Sequence, residues 1–263
     1  MTQKAVKMLI VLWYHYLKQR NKMKKVLLST LTIVAITALH AGGTIEPSIS
    51  ADSIVSESKT EESKDFTISA NMAATSNYIW RGMTQTDNSA AIQGGIDLEH
   101  SSGLYFGVWG SNISWTNNDK SSLEADFYGG FKTELLGIGF DLGYIQYAYP
   151  NVSEESNFGE AYISISKDFD SFGLSAKYSL GIDAPDGADK LDDIEIGATV
   201  ALPSDFGLSL SYGDYEDVGN RYSAGIEKSI GKFDLSLAYI NFSADAGSAS
   251  DEDNIVFTLS TSF

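Results

Sequence analysis

A two-residue alternation of apolar and polar side chains runs through residues 65–263. At its start, Phe66 and Ile68 alternate with Thr67 and Ser69. Successive side chains of a β-strand point to opposite faces, so this period predicts strands with one apolar and one polar face. The pattern predicts about 12 strands, at 66–75, 92–99, 104–109, 123–132, 138–144, 161–165, 172–180, 194–200, 206–212, 222–226, 233–239 and 255–263.

The connections between these strands alternate in length. Short connections are predicted near 100–103, 133–137, 167–171, 203–205 and 229–232. Longer polar or acidic ones are predicted near 82–89, 116–122, 150–157, 183–190, 213–219 and 243–253. This order is typical of an antiparallel up-and-down sheet with tight turns at one end and loops at the other.

The period alone does not distinguish a membrane barrel from a soluble barrel or sandwich, because all three show it. Twelve strands close into a cylinder with a radius of roughly 12 Å, which an inward apolar face would have to fill. The polar face carries glycines such as Gly139, Gly143 and Gly197, which leave the interior roomy and hydrated. The sequence therefore predicts an all-β transmembrane antiparallel up-and-down β-barrel, preceded by an N-terminal signal peptide.

The segments before the barrel show no such alternation. Residues 23–43 combine a basic start, an apolar run and small residues, which is the pattern of a secretory signal peptide. Residues 1–22 are interpreted as an upstream extension from a misassigned start, and 44–64 as a flexible acidic and Ser-rich leader. Residues 65–263 form the predicted outer-membrane barrel.

The charge balance excludes some partners. Thirty-five Asp and Glu residues oppose 18 Lys and Arg residues, for a net charge of −17, so we expect no nucleic-acid partner. We expect outer-membrane lipid and small hydrophilic solutes or ions as partners. The chain ends on Phe263, an aromatic typical of a closing outer-membrane strand, which predicts contact with the barrel-assembly machinery. The oligomeric state stays open.

One block of sequence carries a family resemblance. SANMAATSNYIWRGMTQTD at 69–87, AIQGGID at 91–97 and GVWGSN at 107–112 resemble the proteobacterial TorF family of porin-like outer-membrane proteins, also described as conserved hypothetical outer-membrane proteins. The resemblance implies location in the outer membrane of a Gram-negative bacterium and a pore. It supplies no substrate and no binding residues.

Enzymatic barrels need acid–base groups at the loop end. His100, the one histidine of the predicted mature chain, lies in a short turn at the opposite end, so we predict no catalytic residue and no enzyme activity. We also expect no cofactor and no metal. Calcium binding by an acidic stretch stays an open alternative, although the acids of this stretch do not follow the EF-hand spacing. These acids are Asp183, Asp186, Asp189, Asp192 and Asp193.

The predicted function is passive diffusion of small hydrophilic solutes through a cation-preferring porin. The candidate lumen-lining residues share the polar face of their strands and are mostly acidic. They are Asp97, Glu99, Glu124, Asp126, Asp141, Glu160, Lys177, Glu195, Arg221 and Asp234. The alternative is a plugged, non-conducting barrel that serves as a structural anchor or adhesin through its loops. The sequence does not decide whether the 82–89 loop or the leader folds inward.

Overall fold

The structure is a computed structural model that describes residues 65–115, 122–150, 156–184 and 190–263. The predicted upstream extension, signal peptide and leader lie outside the described residues. No helix in the described ranges is long and apolar enough to cross a membrane.

Twelve long strands close into one antiparallel barrel, and two short strands form a separate hairpin. The strands are β1 (Phe66–Thr75), β2 (Ile79–Trp80), β3 (Met83–Thr84), β4 (Ala91–His100), β5 (Leu104–Asn112), β6 (Leu123–Leu135), β7 (Ile138–Ala148), β8 (Phe158–Asp168), β9 (Phe172–Gly181), β10 (Asp193–Leu202), β11 (Phe206–Tyr215), β12 (Gly219–Ile230), β13 (Phe233–Ala244) and β14 (Glu252–Ser262). Each long strand pairs with the next long strand along the chain, and β1 pairs with β14 to close the ring. The predicted twelve-stranded antiparallel barrel is confirmed.

The outer surface carries the apolar face of each strand. Ile68, Ile96, Leu142 and Ile255 all point outward and are strongly exposed. The inward positions carry polar residues such as Gln93, glycines and a buried aromatic cluster that includes Trp109 and Tyr162. The exposed apolar side chains therefore form a band around the closed barrel.

One predicted connection is shorter in the structure. The segment 213–219 was expected to be a long loop, but β11 continues to Tyr215 and β12 begins at Gly219. The pairs Gly213↔Arg221 and Tyr215↔Gly219 extend the ladder almost to its end. Gly213 carries no side chain into the lumen and so leaves room for Arg221, whose guanidinium occupies the space where a Cβ would lie. The sequence reading mistook these strand ends for loop residues.

The ring closes through a short pairing at one seam. Five pairs, from Asn71↔Ser262 to Thr75↔Thr258, join β1 to β14. Beyond them, the Ala70 and Phe263 backbones donate hydrogen bonds to each other at 3.1 and 2.8 Å. The tight turns and both ends of the described barrel therefore lie at one end of it, the turn end, and the longer connections lie at the other, the loop end.

Candidate functional site

The connection between β1 and β4, residues 76–90, folds into the lumen at the loop end, and we call it the inner hairpin. Its strands β2 and β3 pair through Ile79↔Thr84 and Trp80↔Met83. The two residues between them, Arg81 and Gly82, have φ angles of 49° and 88°. Two positive φ values are the signature of a type I′ turn. For Arg81 this conformation costs about 1–2 kcal/mol, so its contacts must offset strain.

Arg81 forms a two-pronged ion pair with the barrel wall. Its Nη1 and Nη2 donate to Oε1 and Oε2 of Glu160 on β8, at 2.8 and 2.7 Å. Its Nε lies 3.6 Å from Oδ2 of Asp193 on β10. All three side chains are buried. Bidentate hydrogen bonds between a guanidinium and a carboxylate are among the strongest polar contacts in proteins, so the hairpin tip is fixed in position.

Aromatic rings cover the Arg81 guanidinium. Its central carbon lies 4.4 Å from the centroid of the Trp80 ring and 4.6 Å from that of Tyr215 on β11. Burial by itself lowers the pKa of Arg81, but the charges of Asp193 and Glu160 outweigh burial and raise the pKa well above its ordinary value. Arg81 therefore stays cationic inside the barrel.

The ion-pair network continues from Asp193 to a second arginine on the wall. Nη1 and Nη2 of Arg221 donate to the two carboxylate oxygens of Asp193 at 2.7 and 3.0 Å. Nη2 also donates to Oε2 of Glu195 at 2.8 Å. The Glu195 side chain is 36% exposed, whereas the other members of the network are nearly dry. Glu195 is thus the member of the network whose side chain is accessible from the open lumen.

The opposite side of the inner hairpin contacts β6 and β14. The Tyr78 hydroxyl donates to Oε1 of Glu124 at 2.6 Å, and Tyr78 is completely buried. The Asn77 amide donates to Oδ1 of Asn254 at 3.1 Å. The Thr84 backbone N–H donates to Oε2 of Glu252 at 3.0 Å. Since the same hairpin also reaches Glu160 on β8, it spans the loop end of the lumen.

An apolar patch on the inner wall receives Ile79. Ala238 and Ile240 on β13 and Val256 on β14 are buried and cluster with Ile79. Apolar side chains there supply the desolvated contact that an isoleucine requires.

All ten predicted lumen residues lie on the inward face of their strands. Four of them, Glu124, Glu160, Glu195 and Arg221, belong to the contacts around the inner hairpin described above, and Asp126 is fully buried on the same strand as Glu124. Their part in conduction stays a prediction.

The other five predicted residues lie farther from the hairpin tip. Nζ of Lys132 pairs with Oε2 of Glu99 at 2.6 Å near the turn end. The remaining contacts are Tyr128 donating to Asp97, Tyr105 donating to Asp141 at 2.7 Å, Lys177 lying 4.7 Å from the Tyr162 ring centroid, and Ser229 donating to Asp234 at 2.5 Å. The tyrosines in these contacts, Tyr105, Tyr128 and Tyr162, belong to a buried cluster that also includes Tyr78 of the inner hairpin.

Sequence reasoning assigned no functional role to Arg81, and it considered Asp193 only as one acid of a possible calcium-binding stretch. Asp193 was grouped with the acidic stretch of the preceding loop, but it is the first residue of β10 and binds two arginines. Asp186 and Asp189 of that stretch lie outside the described residues. His100 ends β4 at the turn end, where its Nδ1 lies 2.8 Å from the Ser102 hydroxyl oxygen. In the described ranges, no group of three or more His, Cys, Asp or Glu residues could hold a metal ion.

Comparison with known proteins places the chain by family and by fold. The family described as "Bacterial protein of unknown function (Gcw_chp)" matches residues 59–263. No curated protein matches the sequence. The KdgM porin superposes with a TM-score of 0.52 at 8% identity, covering 74% of this chain and 98% of that one. The structure described as "KdgM porin in complex with disordered oligogalacturonate" superposes with a TM-score of 0.51 at 6% sequence identity, covering 74% of this chain and 97% of that one. The NanC porin superposes with a TM-score of 0.50 at 9% sequence identity, covering 75% of this chain and 99% of that one.

These similarities establish the fold, a porin-like barrel. The family match covers the whole described barrel. It gives a family without the TorF name that the sequence resemblance suggested.

Proposed function

The chain belongs to the bacterial family Gcw_chp, and from the geometry of its lumen we propose that it is an outer-membrane porin for passive diffusion of small hydrophilic solutes, with cations favoured over anions. The observation that carries this proposal is the acid-rich inner wall of a closed barrel. Partly exposed carboxylates such as those of Glu99 and Glu195 face the lumen and are accessible to water. No bond is made or broken in this function.

The electrostatics of the wall support the cation preference. Inward carboxylates on β4, β6, β7 and β10 outnumber the inward cations Lys132, Lys177 and Arg221. Both arginines near the hairpin, Arg81 and Arg221, are already paired with carboxylates, so they contribute little free positive charge. Low-dielectric walls focus the remaining negative potential along the lumen.

The exterior supports the membrane location. The apolar band on the outer surface suits contact with lipid. The short turns and the C-terminal end of β14 lie at one end of the barrel, and the longer connections lie at the other, as in outer-membrane barrels. Outer-membrane lipid and, through the strand that ends at Phe263, the barrel-assembly machinery are the partners we propose. The similar KdgM and NanC structures are titled as porins, which supports a solute channel for the same fold.

A second candidate function has a specific observation in its favour. The inner hairpin crosses the loop end of the lumen and contacts β6, β8, β10 and β14. A barrel filled in this way could serve as a non-conducting anchor or adhesin whose loops form the binding surface.

Recording from refolded protein in a planar bilayer under a salt gradient distinguishes the two candidates. We expect small ohmic steps and a reversal potential that favours cations. Glu195→Gln should weaken the preference, whereas Asp205→Asn, which removes an equal charge from a turn outside the lumen, should leave it unchanged. A folded barrel that never conducts would refute the porin and leave the anchor. Conduction without cation preference would refute the assigned role of the wall carboxylates.

A further inference from the structure

The tip of the inner hairpin carries one charged side chain, Arg81, which forms ion pairs with the wall. We propose that Arg81 is a positioning residue that clamps the inner hairpin across the lumen and thereby sets the cross-section open to solutes. This inference rests on the proposed function and deepens it, because it names the residue that determines which solutes fit.

The charge distribution of the hairpin singles out Arg81. It is the one basic residue among residues 76–90, and the one acidic residue there, Asp87, is exposed. Arg81 is therefore the one hairpin residue that forms ion pairs with Glu160 and Asp193. Removing its side chain leaves Glu160 buried and without that cation, which is strongly unfavourable in a dry environment. The unfavourable state is relieved when the hairpin tip moves away and water reaches the carboxylate.

The remaining hairpin contacts are neutral or have one charged partner: Trp80 packs against Phe158, and the Thr84 backbone N–H donates to Glu252. Asn77 meets Asn254 through a neutral hydrogen bond, and Ile79 packs on the apolar patch of β13 and β14. Tyr78 donates a hydrogen bond to Glu124 but brings no positive charge. The tip is also strained, because Arg81 has a positive φ. Without its ion pairs the tip loses the interactions that offset this strain.

The shape of the guanidinium matters as well as its charge. Two N–H groups meet the two oxygens of Glu160, while the guanidinium also lies against the Trp80 and Tyr215 rings. A lysine ammonium keeps the charge but can reproduce neither the paired hydrogen bonds nor the contact with both rings. The clamp therefore predicts a graded series, with Arg81→Lys between the parent protein and Arg81→Ala.

A test needs a measure of hairpin position that does not depend on conduction. The chain contains no cysteine, so one introduced thiol reports unambiguously. Ile79 is buried, and cysteine at this position stays apolar and small. The parent for the test is thus Ile79→Cys in the refolded full-length barrel, treated with a membrane-impermeant, water-soluble thiol reagent. Heat-modifiable gel mobility first shows that every variant is folded.

In this background we expect Arg81→Ala to raise the thiol labelling rate at least about tenfold and to enlarge the single-channel step at least about twofold. Arg81→Lys should give smaller increases in both. Lys132→Ala, which removes another lumen cation near the turn end, should leave labelling at the parent level. The ion-pair partner of Lys132 is Glu99, at the opposite end of β4 from the inner hairpin.

The outcomes separate the clamp from the channel. Faster labelling together with larger steps supports both proposals. Faster labelling with no conduction by any variant supports the clamp and overturns the porin. A folded Arg81→Ala barrel with parental labelling and parental steps overturns the clamp, whatever the parent conducts. Equal labelling increases in Arg81→Ala and Lys132→Ala also overturn it, because they would indicate general loosening of the barrel.

Discussion

The two ends of the lumen use the same kinds of charged residue for different purposes. At the loop end, Arg81, Glu160 and Asp193 are buried, and the side chains of Arg81 and Glu160 are only 5% and 4% exposed. Near the turn end, the side chains of Lys132 and Glu99 are 22% and 41% exposed, although their atoms approach to 2.6 Å. Contact distance is similar at both ends, whereas access to water differs greatly.

This difference decides what each pair does. A buried ion pair cannot exchange its partner for water, so it holds two parts of the chain together. An exposed pair is screened by water and salt and adds little to stability, but its charges remain available to ions in the lumen. The inner hairpin causes the contrast, because it fills the loop end and excludes water there.

The largest expected effect is on the buried network. Arg221→Ala removes the partner that donates to Asp193 and Glu195, so we expect the free energy of unfolding to fall by about 3–5 kcal/mol. A urea titration of the refolded barrel in lipid or detergent measures the change. A loss below about 1 kcal/mol would mean that this end is as well hydrated as the other and that the comparison is wrong.

A smaller effect is expected from a methyl group placed at the turns of the two ends. Gly82 in the inner hairpin has a φ of 88°, and a Cβ there would lie 2.9 Å from Cβ of Phe242. Gly231 in a tight turn has a φ of 66°, and a Cβ there would meet nothing within 4 Å. Both changes to alanine force a left-handed residue, which costs about 1–2 kcal/mol, and only Gly82→Ala adds a clash.

We therefore expect Gly82→Ala to lower the free energy of unfolding by about 3 kcal/mol and Gly231→Ala by about 1 kcal/mol. The same urea titration measures both variants. Equal losses would show that the loop end has room for the extra methyl group, against the close packing described here.

The smallest effect is expected at the exposed pair. Lys132→Ala should change the free energy of unfolding by less than about 1 kcal/mol, because water and counter-ions already screen Lys132 and Glu99. The difference in the free energy of unfolding between the parent protein and Lys132→Ala should be smaller in high salt than in low salt, because added salt screens the parental pair. A large loss that persists in high salt would place this pair among the buried ones.

The barrel was predictable because the two faces of its strands differ in polarity. An apolar outer face and a largely polar inner face give a two-residue period, which is visible from Phe66 onward without any knowledge of pairing. Strand ends were less predictable. Asp193 follows several loop acids and resembles them, and only the pairing with Ser179 and Tyr215 shows that it belongs to a strand.

The inner hairpin was not predictable from periodicity, because its side chains meet protein on several sides and have no single wet face. Signals for it do exist. The residues Tyr78, Ile79 and Trp80 are unusually apolar for a loop in water. The inward positions Ile240 and Val256 are apolar where neighbouring strands carry polar groups, which indicates a partner inside the barrel. No sequence rule links these two signals without the closed ring.

The course of the inner hairpin has a consequence for assembly. It directly follows β1 in the chain, yet Ile79 packs on β13 and β14, which come last among the described strands, and Arg81 pairs with β8 and β10. All of these partners surround the hairpin only after the ring has closed. A ring with one strand pair more or fewer would change the width between these walls, so Ile79 and Arg81 could not both reach their partners. We therefore expect the wall contacts of the hairpin to favour closure of the barrel with twelve long strands over closure with more or fewer.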